Sequence, residues 1–492
     1  MITDKKPNIV YIVADDMGYG DVGCYNAESK IPTPRMDKLA SKGLIFTDAH
    51  SVSSVCTPSR YGILTGRYCW RTPLKNNVLY GYEPPLINKN QLTVASLLKK
   101  EGYSTACIGK WHLGLNYSLK EGEKFDFTKP LPWSDATQSE EIKVDFSAGV
   151  KGGPTALGFD YFFGTSGCST CQPPYGFIEG EVFPSIPSKY VNEAHFTGRS
   201  GMSTPTWDHA EADTTFTEKA VSWIKSKKDE DEPFFLYFAA SAPHEPCIEA
   251  VVPEFARGQS SAGPRGDLVW LFDWMVGQIL DVLDETGEAK NTLVIVTSDN
   301  GALPGDREIS ETGTSYNTWE HKSCGNLRGY KAHIWEGGHR EPFIIRWPEI
   351  VKPNTVCGHL VGLNDFMATC ADILGVDLKG DEAEDSVSFM PLLIDPQRNQ
   401  AVRKNLIHHS CFGVFSVRKD SWKLIIDCDN SGGWPPPCGT GPVSGTKGQL
   451  YNITADIQEQ ENLWNEYPEI VQELTDILKN SYDSYFRDSK IS

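Results

Sequence analysis

The chain repeats one pattern: a short, continuously apolar run, then a stretch whose apolar positions recur with helical period. The runs are Ile9–Ala14, Leu44–Phe46, Ser104–Gly109, Phe234–Ala240, Leu293–Val296 and Phe343–Trp347. Runs of about four to eight residues, rich in β-branched and aromatic side chains and without polar alternation, fit strands buried on both faces. Helical stretches fall between them. Thr33–Gly43 and Thr93–Tyr103 each start on a threonine cap and reach a glycine stop, and Ala212–Lys225, Leu268–Thr286 and Leu363–Gly375 follow. Strands alternating with helices predict an α/β protein with a doubly wound sheet. From Asp377 the texture changes. Leu406–His409, Val414–Arg418 and Trp422–Ile426 predict an antiparallel meander, Leu450–Asn452 a last strand, and Pro468–Phe486 a terminal helix. The expected organisation is a large α/β unit over residues 1–376 and a smaller C-terminal α+β unit over 377–492.

The candidate chemistry lies where the strands end. The first delivers Asp15-Asp16 and a glycine-rich turn, the third Lys110-Trp111-His112, the fourth Pro243-His244-Glu245-Pro246, and the fifth Asp299-Asn300. In an open α/β sheet, ligands bind at the carboxyl ends of the strands. Adjacent carboxylates repel unless a cation neutralises them, and Asp15, Asp16, Asp299 and Asn300 form an all-oxygen set suited to Ca²⁺ or Mg²⁺. Helix capping or solvated loop acids is the plainer reading of the Asp15-Asp16 pair. Lys110 and His112, two apart on an extended segment, point the same way, the first to bind an anion and the second to move protons. His244, set between prolines, is held rigidly as a ligand or as a structural residue. Cys56 stands at the mouth of a short helix, with Pro58 preset for its first turn and Gly66 able to stop it. An anion there meets unpaired backbone N–H groups, and Arg60, one turn in, adds a fork of donors. A buried structural cysteine is the alternative.

Composition narrows the partners. A net charge of −19 over 492 residues argues against nucleic acid and anionic membrane surfaces, so an anionic substrate requires local basic residues. No apolar run approaches the ~18 residues that cross a bilayer. Thirteen cysteines lack regular spacing, and Cys168-Ser169-Thr170-Cys171 is the one C-x-x-C pair; a disulfide framework or zinc site would want a second. Reduced thiols and an opening without a secretory signal point to the cytoplasm as the sequence stands, or to the periplasm or exterior if a signal has been removed. Residues 115–215 read as loops over the site, with Trp133 and Trp207 as sugar platforms or as local packing. Residues 302–326, with Trp319 and His321, read as a substrate-facing loop.

Five motifs arrive in a telling order. Asp15-Asp16-Met17-Gly18-Tyr19-Gly20-Asp21 comes first, then Cys56-Thr57-Pro58-Ser59-Arg60 with Leu64-Thr65-Gly66-Arg67. Gly109-Lys110-Trp111-His112-Leu113-Gly114, Pro243-His244-Glu245-Pro246 and the Lys331 to Pro342 segment follow. Together they resemble type I sulfatases of the alkaline phosphatase superfamily. The resemblance implies an alkaline-phosphatase-like doubly wound mixed sheet with a smaller C-terminal α+β subdomain. It implies that a maturation enzyme oxidises Cys56 to formylglycine (3-oxoalanine), whose hydrated aldehyde is the nucleophile. Calcium, or magnesium, would sit on Asp15, Asp16, Asp299, Asn300 and the modified Cys56. Arg60, Lys110 and Lys331 would hold the sulfate charge, His244 would bind substrate, His244 or a lysine would protonate the leaving alcohol, and His112 would take a proton to regenerate the aldehyde. Glu341 replaces a usually apolar residue, with nothing catalytic put in doubt. The polar loops, with Arg199, favour a sulfated sugar at a glycan end over an arylsulfatase substrate without carbohydrate. A phosphatase or phosphodiesterase of the superfamily would use Ser or Thr and two metals. A noncatalytic calcium-bound carbohydrate-binding protein would lack some of Lys110, His112, His244 and Lys331, and all four are present.

Overall fold

The computed structural model describes residues 5–127, 138–192, 199–228, 230–310, 313–434 and 447–488. Nine strands form one mixed sheet in the order Thr355–Cys357, Leu44–Phe46, Phe343–Arg346, Thr292–Ser298, Asn8–Ala14, Phe234–Ala239, Ser104–Lys110, Tyr161–Thr165, Ile178–Glu179. The five strands from Thr292–Ser298 to Tyr161–Thr165 run parallel, while Phe343–Arg346 and Ile178–Glu179 are antiparallel to their inner neighbours.

Along the central strand, Ile9, Tyr11 and Val13 join one apolar core and Val10, Ile12 and Ala14 the other, all fully buried. That two-sided burial is why the run reads as uniformly apolar: each aliphatic side chain contributes about 1.5–3 kcal/mol on either face. Ala212–Ser226 and Gly263–Thr286 cover one face; Cys56–Thr65, Val94–Lys100 and Phe366–Leu374 cover the other. The Gly263 helix starts five residues before the first apolar position read from the sequence, because Pro264 seeds its first turn.

Leu406–His409, Phe415–Lys419, Trp422–Ile426 and Gly448–Asn452 form a four-stranded antiparallel sheet, and the Pro468–Asp488 helix packs on it through Leu474 and Leu478. Phe389, Met390, Leu392 and Leu393 lie in the core of the large sheet although they follow the change in texture at Asp377. No helix among the described residues is long and apolar enough to cross a membrane. Trp133 lies outside the described residues.

Candidate active site at the strand ends

The Cys56–Thr65 helix is buried along its whole length and ends at Gly66, whose φ of 67° is left-handed. A side chain at Gly66 would stand 2.5 Å from Ala383 Cβ, so the helix stop also admits the chain behind it. Cys56 is the first helical residue, and its Sγ lies 3.3 Å from Asp15 Oδ1. Arg60, fully buried one turn in, donates to Asp299 Oδ2 at 2.8 Å from Nε and to the Lys110 carbonyl at 3.0 Å.

Asp15 and Asp16 each receive a lysine. Lys110 Nζ reaches Asp15 Oδ2 at 2.5 Å, and Lys331 Nζ reaches Asp16 Oδ2 at 2.7 Å and His244 Nε2 at 3.2 Å. Asp16 has a φ of 72°, an uncommon conformation for a residue with a side chain. Its oxygens and main chain are held by Asn300 Nδ2 at 2.7 Å and by Arg265, which donates to the Asp16 carbonyl at 3.0 Å. Three carboxylates therefore face three cations: Asp15, Asp16 and Asp299 against Arg60, Lys110 and Lys331. The basic cluster that an anionic substrate requires is present despite the acidic net charge.

The electrostatics follow the geometry. Burial works to raise the Asp15 carboxyl, but Lys110, His244, Arg60 and Lys331 outweigh it and hold it well below the carboxylate range. Burial and the neighbouring Asp15 push Asp299 up to about 6. Burial, followed by Asp15, pushes the Cys56 thiol up, so this cysteine is a poor thiolate as it stands. Burial and then Lys110 hold His112 well below its ordinary value, whereas for His244 burial, which lowers it, is outweighed by Cys168, Asp15 and Asp16 together, which raise it well above.

The oxygen set fits a hard divalent cation. Asn300 Nδ2 is engaged by Asp16 and by the Gly301 carbonyl, while Asn300 Oδ1 is buried without a hydrogen-bond partner. A buried, unmatched amide oxygen beside three carboxylates is the acceptor that Ca²⁺ or Mg²⁺ would satisfy. Ligand atoms of Asp15, Asp16, Cys56 and His244 also lie within 4.8 Å of one another.

Two expectations change, for His112 and for His321. Lys110 and His112 do not share an extended segment, because the strand ends at Lys110 and His112 turns into the left-handed region with a φ of 58°. His112 Nε2 binds the Leu79 carbonyl at 2.7 Å, Thr57 Oγ1 holds the His112 carbonyl at 3.0 Å, and Nδ1 is buried without a partner. His321 is buried, with Nε2 2.8 Å from Asp21 Oδ1, and Asp21 in turn pairs with Arg265 at 2.7 Å. It buttresses the Asp16 turn instead of facing a substrate. Trp207 packs on Phe177 with ring centroids 4.8 Å apart, whereas Trp319 is half exposed and donates to Asp306.

Sequence reasoning missed Arg265, whose signal was only a cation inside an apolar helix. It also missed that the C-x-x-C pair meets His244: Cys171 Sγ lies 3.7 Å from His244 Nδ1, and Cys168 is close enough to share a metal-sized cluster with both. Glu341 is fully buried, held by Ser51 at 3.1 Å, and raised well above the carboxylate range by burial and then by Asp299, so it is a neutral acid behind the site.

The chain is similar to proteins of named activity. An N-acetylgalactosamine-6-O-sulfatase of Bacteroides thetaiotaomicron is 32% identical over 516 aligned residues, covering 97% of this chain and 93% of that protein. A steryl-sulfatase of Rattus norvegicus is 32% identical, covering 84% of this chain and 74% of its own length. A solved Bacteroides thetaiotaomicron structure, from work on the metabolism of multiple glycosaminoglycans, superposes with a TM-score of 0.80 at 29% identity, covering 97% and 99% of the two chains. The family model described as Sulfatase matches residues 7–376. With that match across the large sheet and its strand ends, the chain belongs to the sulfatase family of sulfuric ester hydrolases.

Proposed function

We propose that the chain hydrolyses a sulfate monoester on a sulfated carbohydrate, acting at a glycan end, with a formylglycine made from Cys56 and a calcium ion. The convergence of Cys56, Arg60, Lys110, His244 and Lys331 on the Asp15, Asp16, Asp299 and Asn300 oxygens carries this reading. The carbohydrate half leans on the N-acetylgalactosamine-6-O-sulfatase that aligns over 97% of the chain.

Formylglycine at position 56 would supply a hydroxyl nucleophile. Calcium held by Asp15, Asp16, Asp299 and Asn300 would supply Lewis acidity toward a sulfate oxygen. The side chains divide the remaining work. Arg60, Lys110 and Lys331 are buried cations whose charge opposes the negative charge that builds on the sulfate oxygens, an effect that gains strength where water is excluded. His244 is held at Nδ1 by the Glu245 carbonyl at 2.9 Å and has Lys331 Nζ 3.2 Å from its Nε2, so this histidine–lysine pair would pass a proton to the departing alcohol oxygen. His112 is neutral, spends its Nε2 proton on the Leu79 carbonyl, and leaves Nδ1 bare to accept one.

Aryl sulfate, aryl phosphate and a panel of sulfated mono- and oligosaccharides, each with and without chelator, test the proposal. Chelator-sensitive turnover of a sulfated sugar in preference to aryl sulfate supports it. The rat steryl-sulfatase relative makes a flat apolar alcohol the second reading, and turnover of steroid or aryl sulfates without any sulfated sugar would select that one. Preference for aryl phosphate would overturn both.

A further inference from the structure

The one C-x-x-C pair of the chain lies on the active-site edge of the large sheet. The strand Tyr161–Thr165 runs beside the strand that delivers Lys110, with Thr165 opposite Lys110. The next residue, Ser166, accepts the His112 N–H on its carbonyl at 2.9 Å, and the chain then turns through Gly167 into Cys168-Ser169-Thr170-Cys171. Gln172 closes that turn: its N–H donates to the Cys168 carbonyl at 3.1 Å, and its Oε1 accepts the Cys168 N–H at 2.9 Å. Residues three apart in one helical turn share a face, so the two thiols are brought to the same side.

The same turn is pinned to His244. Thr170 Oγ1 donates to the Glu245 carbonyl at 2.7 Å, the oxygen that also meets His244 Nδ1 at 2.9 Å. Cys171 Sγ is 3.7 Å from that Nδ1, and one atom each of Cys168, Cys171 and His244 fall within 4.8 Å of one another. Neither thiol has a part in the proposed hydrolysis. Burial works to raise Cys168, but its hydrogen bond with Cys171, then His244 and Lys110, outweigh it and hold it well below the usual thiol value. The hydrogen bond with Cys168, then burial, hold Cys171 well above. The pair therefore keeps one thiolate beside one thiol, the state from which a disulfide closes.

We propose that Cys168 and Cys171 are joined by a reversible disulfide that displaces His244 and so turns hydrolysis down. The second half rests on the leaving-group role proposed for His244. Cys171 is 5% exposed and Cys168 not at all, so the oxidant is a small neutral molecule, hydrogen peroxide, rather than a protein disulfide. The Cys168 thiolate attacks one peroxide oxygen, the O–O bond breaks, and the hydroxide released takes up the proton that Cys168 had shed and leaves as water. The Cys171 sulfur then displaces the sulfenic hydroxyl, which leaves with the Cys171 proton as a second water. Two electrons pass from the sulfurs to the peroxide. Sulfurs about 2.05 Å apart tighten the turn, and Thr170 carries the movement to the Glu245 carbonyl that holds the His244 ring.

Zinc on the two sulfurs and His244 is the competing occupant. It needs a bare His244 Nδ1, and that nitrogen is committed to the Glu245 carbonyl. The disulfide asks for no lone pair of the histidine.

The test is peptide mapping of the full chain, alkylated under denaturing conditions before and after hydrogen peroxide, and again after dithiothreitol. Turnover of a sulfated sugar is read on the same samples, each protein against its own untreated activity. Peroxide should convert most of the peptide carrying Cys168 and Cys171 to an unalkylated form lighter by two hydrogens and lower turnover about tenfold or more, and dithiothreitol should reverse both. Cys171→Ser and Cys168→Ser should form no link and show no loss of turnover that dithiothreitol restores. The Cys56 peptide is mapped alongside, so that oxidation of an unconverted thiol there is not mistaken for this link. Full alkylation of both cysteines after peroxide, a link from either to another cysteine, or a link with undiminished turnover overturns the proposal. Protection from alkylation that a chelator abolishes also overturns it and assigns the pair to a metal. Mapping needs no turnover, so a protein inactive on every sulfate ester would sink the proposed reaction and leave the link still decidable.

Discussion

Arg60 grips Asp299 through two nitrogens, Nε and Nη2, each 2.8 Å from Oδ2, with both side chains fully buried. The helix that begins at Cys56 is thereby tied to the strand end that delivers Asp299 and Asn300. The same guanidinium donates to the Lys110 carbonyl, so three segments share one cation.

Replacing Asp299 separates its two roles. Asp299→Asn should keep the shape, lose bound calcium and lower kcat/KM by about 10²–10³. Asp299→Ala should in addition destabilise the fold by about 3 kcal/mol, because it takes away the nearer carboxylate of buried Arg60 and leaves only Asp15, 3.7 Å away. Metal analysis beside denaturant unfolding checks both; an Asn variant with full calcium and full activity would remove Asp299 from the site.

Maturation has a direct mass signature. Protein made in a host that matures sulfatases should show the Cys56 peptide with its thiol replaced by an aldehyde, and specific activity should rise with the converted fraction. Full activity in protein carrying only thiol at Cys56 would refute the nucleophile assignment.

The leaving-group role proposed for His244 predicts a substrate-dependent defect. His244→Gln should lower turnover of sugar sulfates, whose alcohols need a proton to leave, by about 10²–10⁴. Aryl sulfates, with better leaving groups, should suffer far less. An equal loss on both would reassign His244 to binding alone.

Asp273 gives a pH effect remote from the site. It accepts the Arg35 and Met36 N–H groups, and burial pushes its carboxyl up to about 7. The folded state then holds a proton that the unfolded chain releases near pH 4. Its contribution is fully present below about pH 4 and is lost as pH rises to about 7. Asp273→Asn should flatten unfolding free energy against pH over that window, by at most about 1.4 kcal/mol per unit. Glu141, Asp213, Asp306 and Glu459 are also raised to about 7, so part of the slope remains.

The strands and their polar ends were legible because two-sided burial forces an unbroken apolar run, and the residue that leaves the sheet is where polarity returns. Asp15, Lys110, His244 and Asp299 could therefore be placed before any coordinates. The aim of His112 was not, because alternation assumes extended backbone and the chain turns left-handed at that residue. His321 looked like a loop residue because its partners, Asp21 and Arg265, come from distant segments.

Cys56 is 1% exposed, in a helix with no exposed residue, beneath a sheet whose strands come from both ends of the main domain. The maturation enzyme proposed for Cys56 would have nothing to grip once the domain has closed. The strand Phe343–Arg346, nearly three hundred residues later, belongs to that closure. Under that proposal, the interval between synthesis of the motif and arrival of that strand would set a deadline. A chain that folded too promptly would keep its thiol, and slow closure of the sheet would favour a fully converted population.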